Sequence, residues 1–144
     1  MRHRIHVHVT WTTRDREALI DTGAMRILER LLPRIARQER SVVLQLGVVR
    51  THVHLLLRLH PTTSIPRLLQ RLKGGSSVIV NRELGSTARG GLRWAKGYNI
   101  DSISPRAVQA VRAYVRDQAL RHPHEAIAPL KLVSLARTAE RSSA

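Results

Sequence analysis

The 144-residue sequence has no cysteine and no phenylalanine, and only two tryptophans and two tyrosines. Without cysteine, disulfides, thiolate metal sites and thiol nucleophiles are all excluded. With 3% aromatic residues, a protein that grips single strands by stacking base after base on rings is poorly supplied. Any hold on nucleic acid must then come largely from arginine on phosphate. Acidic residues are scarce as well, 10 against 25 lysines and arginines, which leaves a formal charge of +15. Such an excess opposes compaction and suits a polyanionic partner, nucleic acid first among them. Lysine itself is rare, at Lys73, Lys96 and Lys131 only. That preference fits a GC-rich genome and explains Arg over Lys, but not basic over acidic. Long apolar runs are missing too. The start, Met1 to Val9, alternates polar and apolar residues and resembles neither a signal peptide nor a membrane helix. The expectation is a soluble, cytoplasmic, nucleoid-associated protein with no membrane partner.

What is present organises into one core. Arg4 to Thr12 alternates with period two and predicts a strand. Ala24 to Glu39 repeats apolar residues at helical spacing, with Pro33 predicting a kink or a break. Ser41 to Val49 and His52 to Leu59 predict a hairpin joined by Arg50 and Thr51. Ser64 and Pro66 open a second apolar helical stripe. Lys73-Gly74-Gly75-Ser76-Ser77 is expected to interrupt it, either as a plain helix interruption or as a backbone approach to phosphate, before Val78 to Leu84 resumes. Gly85 to Gly91 reads as a loop and Leu92 to Ile103 as the last strand. Ser104-Pro105 starts a final helix, Ala107 to His122. The predicted fold class is α+β: a ferredoxin-like, split β-α-β antiparallel sheet with helices on one face, plus a C-terminal helix. Residues 1–124 form the domain and 125–144 a polar tail.

The chemistry centres on His52-Val53-His54. On a strand, residues two apart share a face, so both imidazoles project together and can hold a divalent cation. The pattern alone is weak, since His6-Val7-His8 and His122-Pro123-His124 have the same spacing. Tyr114 and Gln118 add to it, because four residues apart in one predicted helix they face the same way. Gln118 would supply an oxygen as third ligand, leaving positions open for phosphate and water, which suits Mg²⁺ or Mn²⁺. Tyr114 would be the nucleophile. Tyr98 is its rival, though a strand aromatic packed over the core is the plainer reading of that residue.

These segments resemble the single-domain HUH tyrosine transposases of the insertion-sequence 200/605 group. The matching stretches are His8-Val9-Thr10-Trp11-Thr12-Thr13 with Arg14 and Arg16, Thr51-His52-Val53-His54-Leu55-Leu56-Leu57, Leu72 to Ser77, Trp94 to Tyr98 and Tyr114-Val115-Arg116-Asp117-Gln118. The resemblance implies a transposase that cleaves and rejoins single-stranded DNA through a 5′-phosphotyrosine, with metal ligands His52, His54 and Gln118 and nucleophile Tyr114. It further implies a homodimer, single-stranded element ends that form hairpins as substrate, and no small-molecule cofactor. His8, Arg14, Arg16, Lys73 and Lys96 are the expected DNA contacts, with His8 structural or DNA-contacting rather than a ligand. Two positions depart from the family: Thr51 replaces the usual Asp or Asn before the first HUH histidine, and Asp15 replaces an aromatic. They leave room for a domesticated or repeat-processing HUH endonuclease. A non-catalytic nucleic-acid-binding module on the same fold is the other alternative. Against it, the strands expected in the middle of the sheet, 42–47 and 52–59, carry no aromatic residue for stacking.

Overall fold

The computed structural model describes residues 2–85 and 90–127. Four strands form one sheet: β1 (Ile5–Thr12), β2 (Val42–Val48), β3 (His52–Leu59) and β4 (Asn99–Ile103), in the order β2-β3-β1-β4. Every neighbouring pair is antiparallel, which is the predicted split β-α-β arrangement. The central strands are β3 and β1, so 42–47 lies on an edge rather than in the middle. The aromatic of β1, Trp11, is buried in the core and unavailable for stacking.

Period-two alternation sorts the sheet into two faces. Val7, Val9 and Trp11 from β1, and Val53, Leu55, Leu57 and Leu59 from β3, meet α1 (Thr22–Gln38) and α2 (Ile65–Leu84) in the hydrophobic core. The intervening residues His8, His52, His54 and Leu56 project to the other face.

Helix α1 starts at Asp21, whose carboxylate accepts from the Ala24 amide at 2.8 Å, and it runs through Pro33 without a break. The predicted break fails for an energetic reason. An interior proline costs about 3 kcal/mol, whereas Leu28, Leu32 and Ile35 around it are buried, each worth roughly 1.5–3 kcal/mol. Helix α2 likewise continues through Gly74 to Ser77. Ser76 and Ser77 hydrogen-bond back to the carbonyls of Lys73 and Gly74. A Cβ on Gly75 would come 3.2 Å from Ile35 Cδ1, so the small residue serves the close α1–α2 approach. Ser76 also accepts from Trp94 Nε1 at 3.1 Å.

The last strand is shorter than Leu92–Ile103. Trp94 makes only an isolated bridge to Thr13, and Gly97 adopts φ +82°, a turn that glycine takes without strain. The Lys73 ammonium donates to the carbonyls of Ala95 and Gly97 at 2.8 and 2.7 Å, fixing this segment to α2. Tyr98, expected to pack over the core, is exposed instead.

The chain then crosses the sheet as α3 (Val108–Arg116) and α4 (Gln118–Arg121), with a break at Asp117. Helix α3 packs on β2 and β3, over the histidine face. Tyr114 and Gln118 are therefore not in one continuous helix, as the sequence had implied. The Tyr114 carbonyl accepts from the Gln118 side-chain Nε2 at 3.0 Å, a side chain standing where the next helical turn would put a backbone amide. Parts of the predicted loop, 86–89, and of the predicted tail, 128–144, lie outside the described residues. The boundary drawn at 124/125 falls in a turn where Glu125 accepts from the Arg50 amide at 2.7 Å.

Candidate active site

His52 and His54 occupy alternate positions of β3, with ring centroids 4.9 Å apart. They are only 6% and 7% exposed, because α3 and α4 cover them. That covering depends on Gly47. It pairs with His54 across the β2–β3 ladder, and any Cβ there would strike the Val115 carbonyl oxygen of α3. A glycine inside an apolar strand thus marks the closest approach of another backbone.

Each histidine has its Nδ1 engaged. His54 Nδ1 lies 2.8 Å from His8 Nε2, and His52 Nδ1 lies 3.0 Å from Thr51 Oγ1. In each ring Nε2 is the nitrogen that these two contacts do not use, and it is the one on which a ligand can be received. Burial, with the neighbouring His52, His8 and His122, pushes the His54 pKa down to about 3. Burial also lowers His52 and His8, opposed by the carboxylates of Glu125 and Asp101 respectively. His54 is therefore neutral at physiological pH and, like His52 and His8, biased towards the form that metal binding requires.

Gln118 is 1% exposed. Its Nε2 is satisfied, but its Oε1 is a buried acceptor with no partner among the described residues. Orphaned acceptors of this kind are costly and rare. The same amide approaches the His52 ring, where an oxygen acceptor favours the charged imidazole, but the approach lacks the geometry of a full hydrogen bond, so Oε1 stays unpaired. Two neutral imidazoles and an unpaired amide oxygen are a donor set that can hold a divalent cation and leave positions open. Among the described residues no group of three or more His, Asp or Glu side chains is placed to hold a metal, so an amide donor would be needed to complete the set.

The Tyr114 ring sits edge-on to both His8 and His54, centroids 5.8 and 5.7 Å away. The Arg121 guanidinium lies 4.7 Å from its centroid. His122 stands over His52 at 5.4 Å. Arg121, His122, Gly47, Thr51 and Glu125 were not among the residues expected at the site. Of these, Gly47 carried a sequence signal, as a lone glycine in a strand. Arg121 also had one, seven residues beyond Tyr114 on the same helical face.

The expected DNA contacts scatter. His8 is at the centre, hydrogen-bonded to His54. Arg16, in a left-handed conformation at φ 52°, reaches within 3.9 Å of Glu125. Arg14 and Lys96 are exposed, and Lys73 is engaged with two carbonyls away from the histidines.

The sequence model of the family described as IS200-like transposases matches residues 1–118. This chain is an IS200-like transposase. Among relatives, the ISDra2 transposase TnpA of Deinococcus radiodurans is 27% identical over 119 residues, covering 81% of this chain and 85% of that protein. The transposase for insertion sequence element IS200 of Salmonella typhimurium is 21% identical over 114 residues, covering 77% and 74%. Two solved structures share the fold. One is a putative transposase from Deinococcus radiodurans, with TM-score 0.66, 22% identity and coverage of 89% of this chain and 95% of that one. The other is a REP-associated tyrosine transposase bound to a REP hairpin, with TM-score 0.64, 13% identity and coverage of 85% and 72%. The whole HUH strand and both Tyr114 and Gln118 of this IS200-like transposase fall within the family match. No helix among its described residues is long and apolar enough to cross a membrane.

Proposed function

We propose that this transposase cuts and rejoins single-stranded DNA through a covalent link to Tyr114, with a divalent cation held by His52, His54 and Gln118. The observation that carries the reading is the meeting of a tyrosine ring, two neutral histidines and an unpaired buried amide oxygen on one sheet face. A bound Mg²⁺ or Mn²⁺ would supply Lewis acidity towards a phosphate oxygen.

The protein's own groups account for the rest. A free phenol titrates near ~10, so Tyr114 needs help to attack. The Arg121 guanidinium beside the ring favours the developing phenolate and a nearby phosphate. Tyr114 Oη forms a bond to phosphorus as the bond from phosphorus to the 3′ oxygen breaks. The phenol loses its proton and the departing 3′ oxygen gains one. The DNA is left with its 5′ phosphate on Tyr114 and a free 3′-OH. Attack by a 3′-OH on the phosphotyrosine reverses the step and joins ends without ATP.

The formal charge of +15 supports a polyanionic substrate, and the hairpin held by the REP-associated structural relative supports element ends that fold as hairpins. Tyr114, Gln118 and the histidines meet here within one chain. A homodimer could present the same helix from a partner copy.

The test is a gel assay for a denaturation-resistant protein–DNA adduct, with single-stranded hairpin DNA from the flanks of the encoding gene and Mg²⁺ or Mn²⁺ present. Tyr114→Phe should abolish the adduct and leave DNA binding within a fewfold of wild type. An adduct that persists in that variant would assign the nucleophile elsewhere.

A further inference from the structure

Glu125 lies outside every element, yet its carboxylate reaches the base of the histidine strand. Thr51 Oγ1 donates to Glu125 Oε1 at 2.7 Å and lies 3.0 Å from His52 Nδ1. A hydroxyl has one proton, and an ionised carboxylate can only accept. In their 2.7 Å contact the Thr51 hydroxyl is the donor, so its one proton points to Glu125. The hydroxyl can then face His52 only as an acceptor. It follows that His52 carries its hydrogen on Nδ1 and presents the lone pair of Nε2.

The position of Glu125 is itself enforced. Its amide donates to the His122 carbonyl at 3.0 Å, and its carbonyl accepts from Arg50 in the β2–β3 turn at 2.7 Å. Arg16 and His122 approach the carboxylate at 3.9 and 3.8 Å, and His52 Nδ1 lies 3.8 Å from its other oxygen, Oε2, too far for a direct hydrogen bond. Glu125 thus rides on the same stretch of chain as Tyr114 and Gln118, and that stretch docks at Gly47.

We infer that Glu125, acting through the Thr51 hydroxyl, is a positioning residue that fixes the tautomer and orientation of His52 for metal binding. Docking of the C-terminal segment therefore delivers nucleophile, third donor and this orienting carboxylate together. The inference rests on the metal reading proposed above.

The experiment measures Mn²⁺ affinity of the full chain by calorimetry or by loss of the free-ion magnetic resonance signal, beside adduct formation. Thr51→Val keeps the shape and removes the hydroxyl, and Thr51→Ser restores it. Thr51→Val is expected to weaken Mn²⁺ binding by about 10–100-fold, the usual effect of losing a group that orients a ligand. Thr51→Ser should stay within about threefold of wild type. Thr51→Val combined with Glu125→Ala should be no weaker than Thr51→Val alone, because the two act in series. Saturating Mn²⁺ should restore much of the adduct yield of Thr51→Val, which a mere packing defect would not allow. Affinity of Thr51→Val within twofold of wild type would overturn the inference and leave the metal reading intact. A Thr51→Ser protein as weak as Thr51→Val would also overturn it. Failure of the wild type to bind Mn²⁺ would overturn both readings.

Discussion

Replacing Gly47 by alanine would put a methyl group against the Val115 carbonyl oxygen, 3.1 Å from the carbonyl carbon and 3.2 Å from Gln118 Cγ. The obstacle is helix backbone, which cannot rotate aside as a side chain tip can. Restoring ordinary contact requires the α3–α4 junction to retreat by roughly 1 Å, and misplacement on that scale can cost about 100-fold in rate. The move would carry Tyr114 away from His8 and His54, and Gln118 away from His52. The stability loss should be smaller, about 1–3 kcal/mol, as for other overpacked sites. The assay compares the initial rate of adduct formation with the denaturant midpoint in the same preparation. Gly47→Ala should be folded and about 100-fold slower. An alanine variant that forms adduct at the wild-type rate would refute the claim that this contact sets the position of the nucleophile.

Two further outcomes follow from the same structure. Because the His54 pKa lies near 3 in the folded chain and near 6.5 when unfolded, the unfolded state binds the extra proton between those values. Its contribution is complete above about pH 6.5 and is lost as pH falls towards 3, at about 1.4 kcal/mol per pH unit. Denaturant titration of metal-free protein from pH 7 to 4.5 should show that loss, and His54→Asn should show a shallower one; equal slopes would dismiss the buried neutral histidine. Gly74 faces open space inside α2, so Gly74→Ala should raise the unfolding free energy by about 0.5–1 kcal/mol, read as a higher denaturant midpoint with adduct formation unchanged.

Much of the fold was legible because periodicity and topology agree. The alternation in β1 and β3, the apolar stripes of α1 and α2, and the order of elements are enough to specify a split β-α-β sheet. Misreadings arose where tertiary packing overrode local preference. Pro33 and the Gly74–Ser77 run both sit inside helices because their neighbours bury enough surface to hold them there. The strand after Leu92 is short because Gly97 and the Lys73 tie bend it away. At the site, the shared face of His52 and His54 could be read from spacing. The break at Asp117 could not, since no proline or glycine marks it; it is accompanied by the Gln118 side chain bonding back to the Tyr114 carbonyl. Nor could the partnership of Thr51 with Glu125, 74 residues apart, because no local pattern encodes a contact between a hairpin turn and a distant loop.

The sheet divides labour between its two surfaces. Most of the buried aliphatic side chains lie on the α1–α2 side, while the opposite side sets imidazoles, an amide and a phenol beside buried Leu56 and Val115, and its unpaired buried oxygen subtracts from stability. Selection can therefore remodel one side without unravelling the other. Replacing the site's polar side chains with aliphatic ones should therefore yield a chain that keeps its fold and unfolds at higher denaturant than the native one.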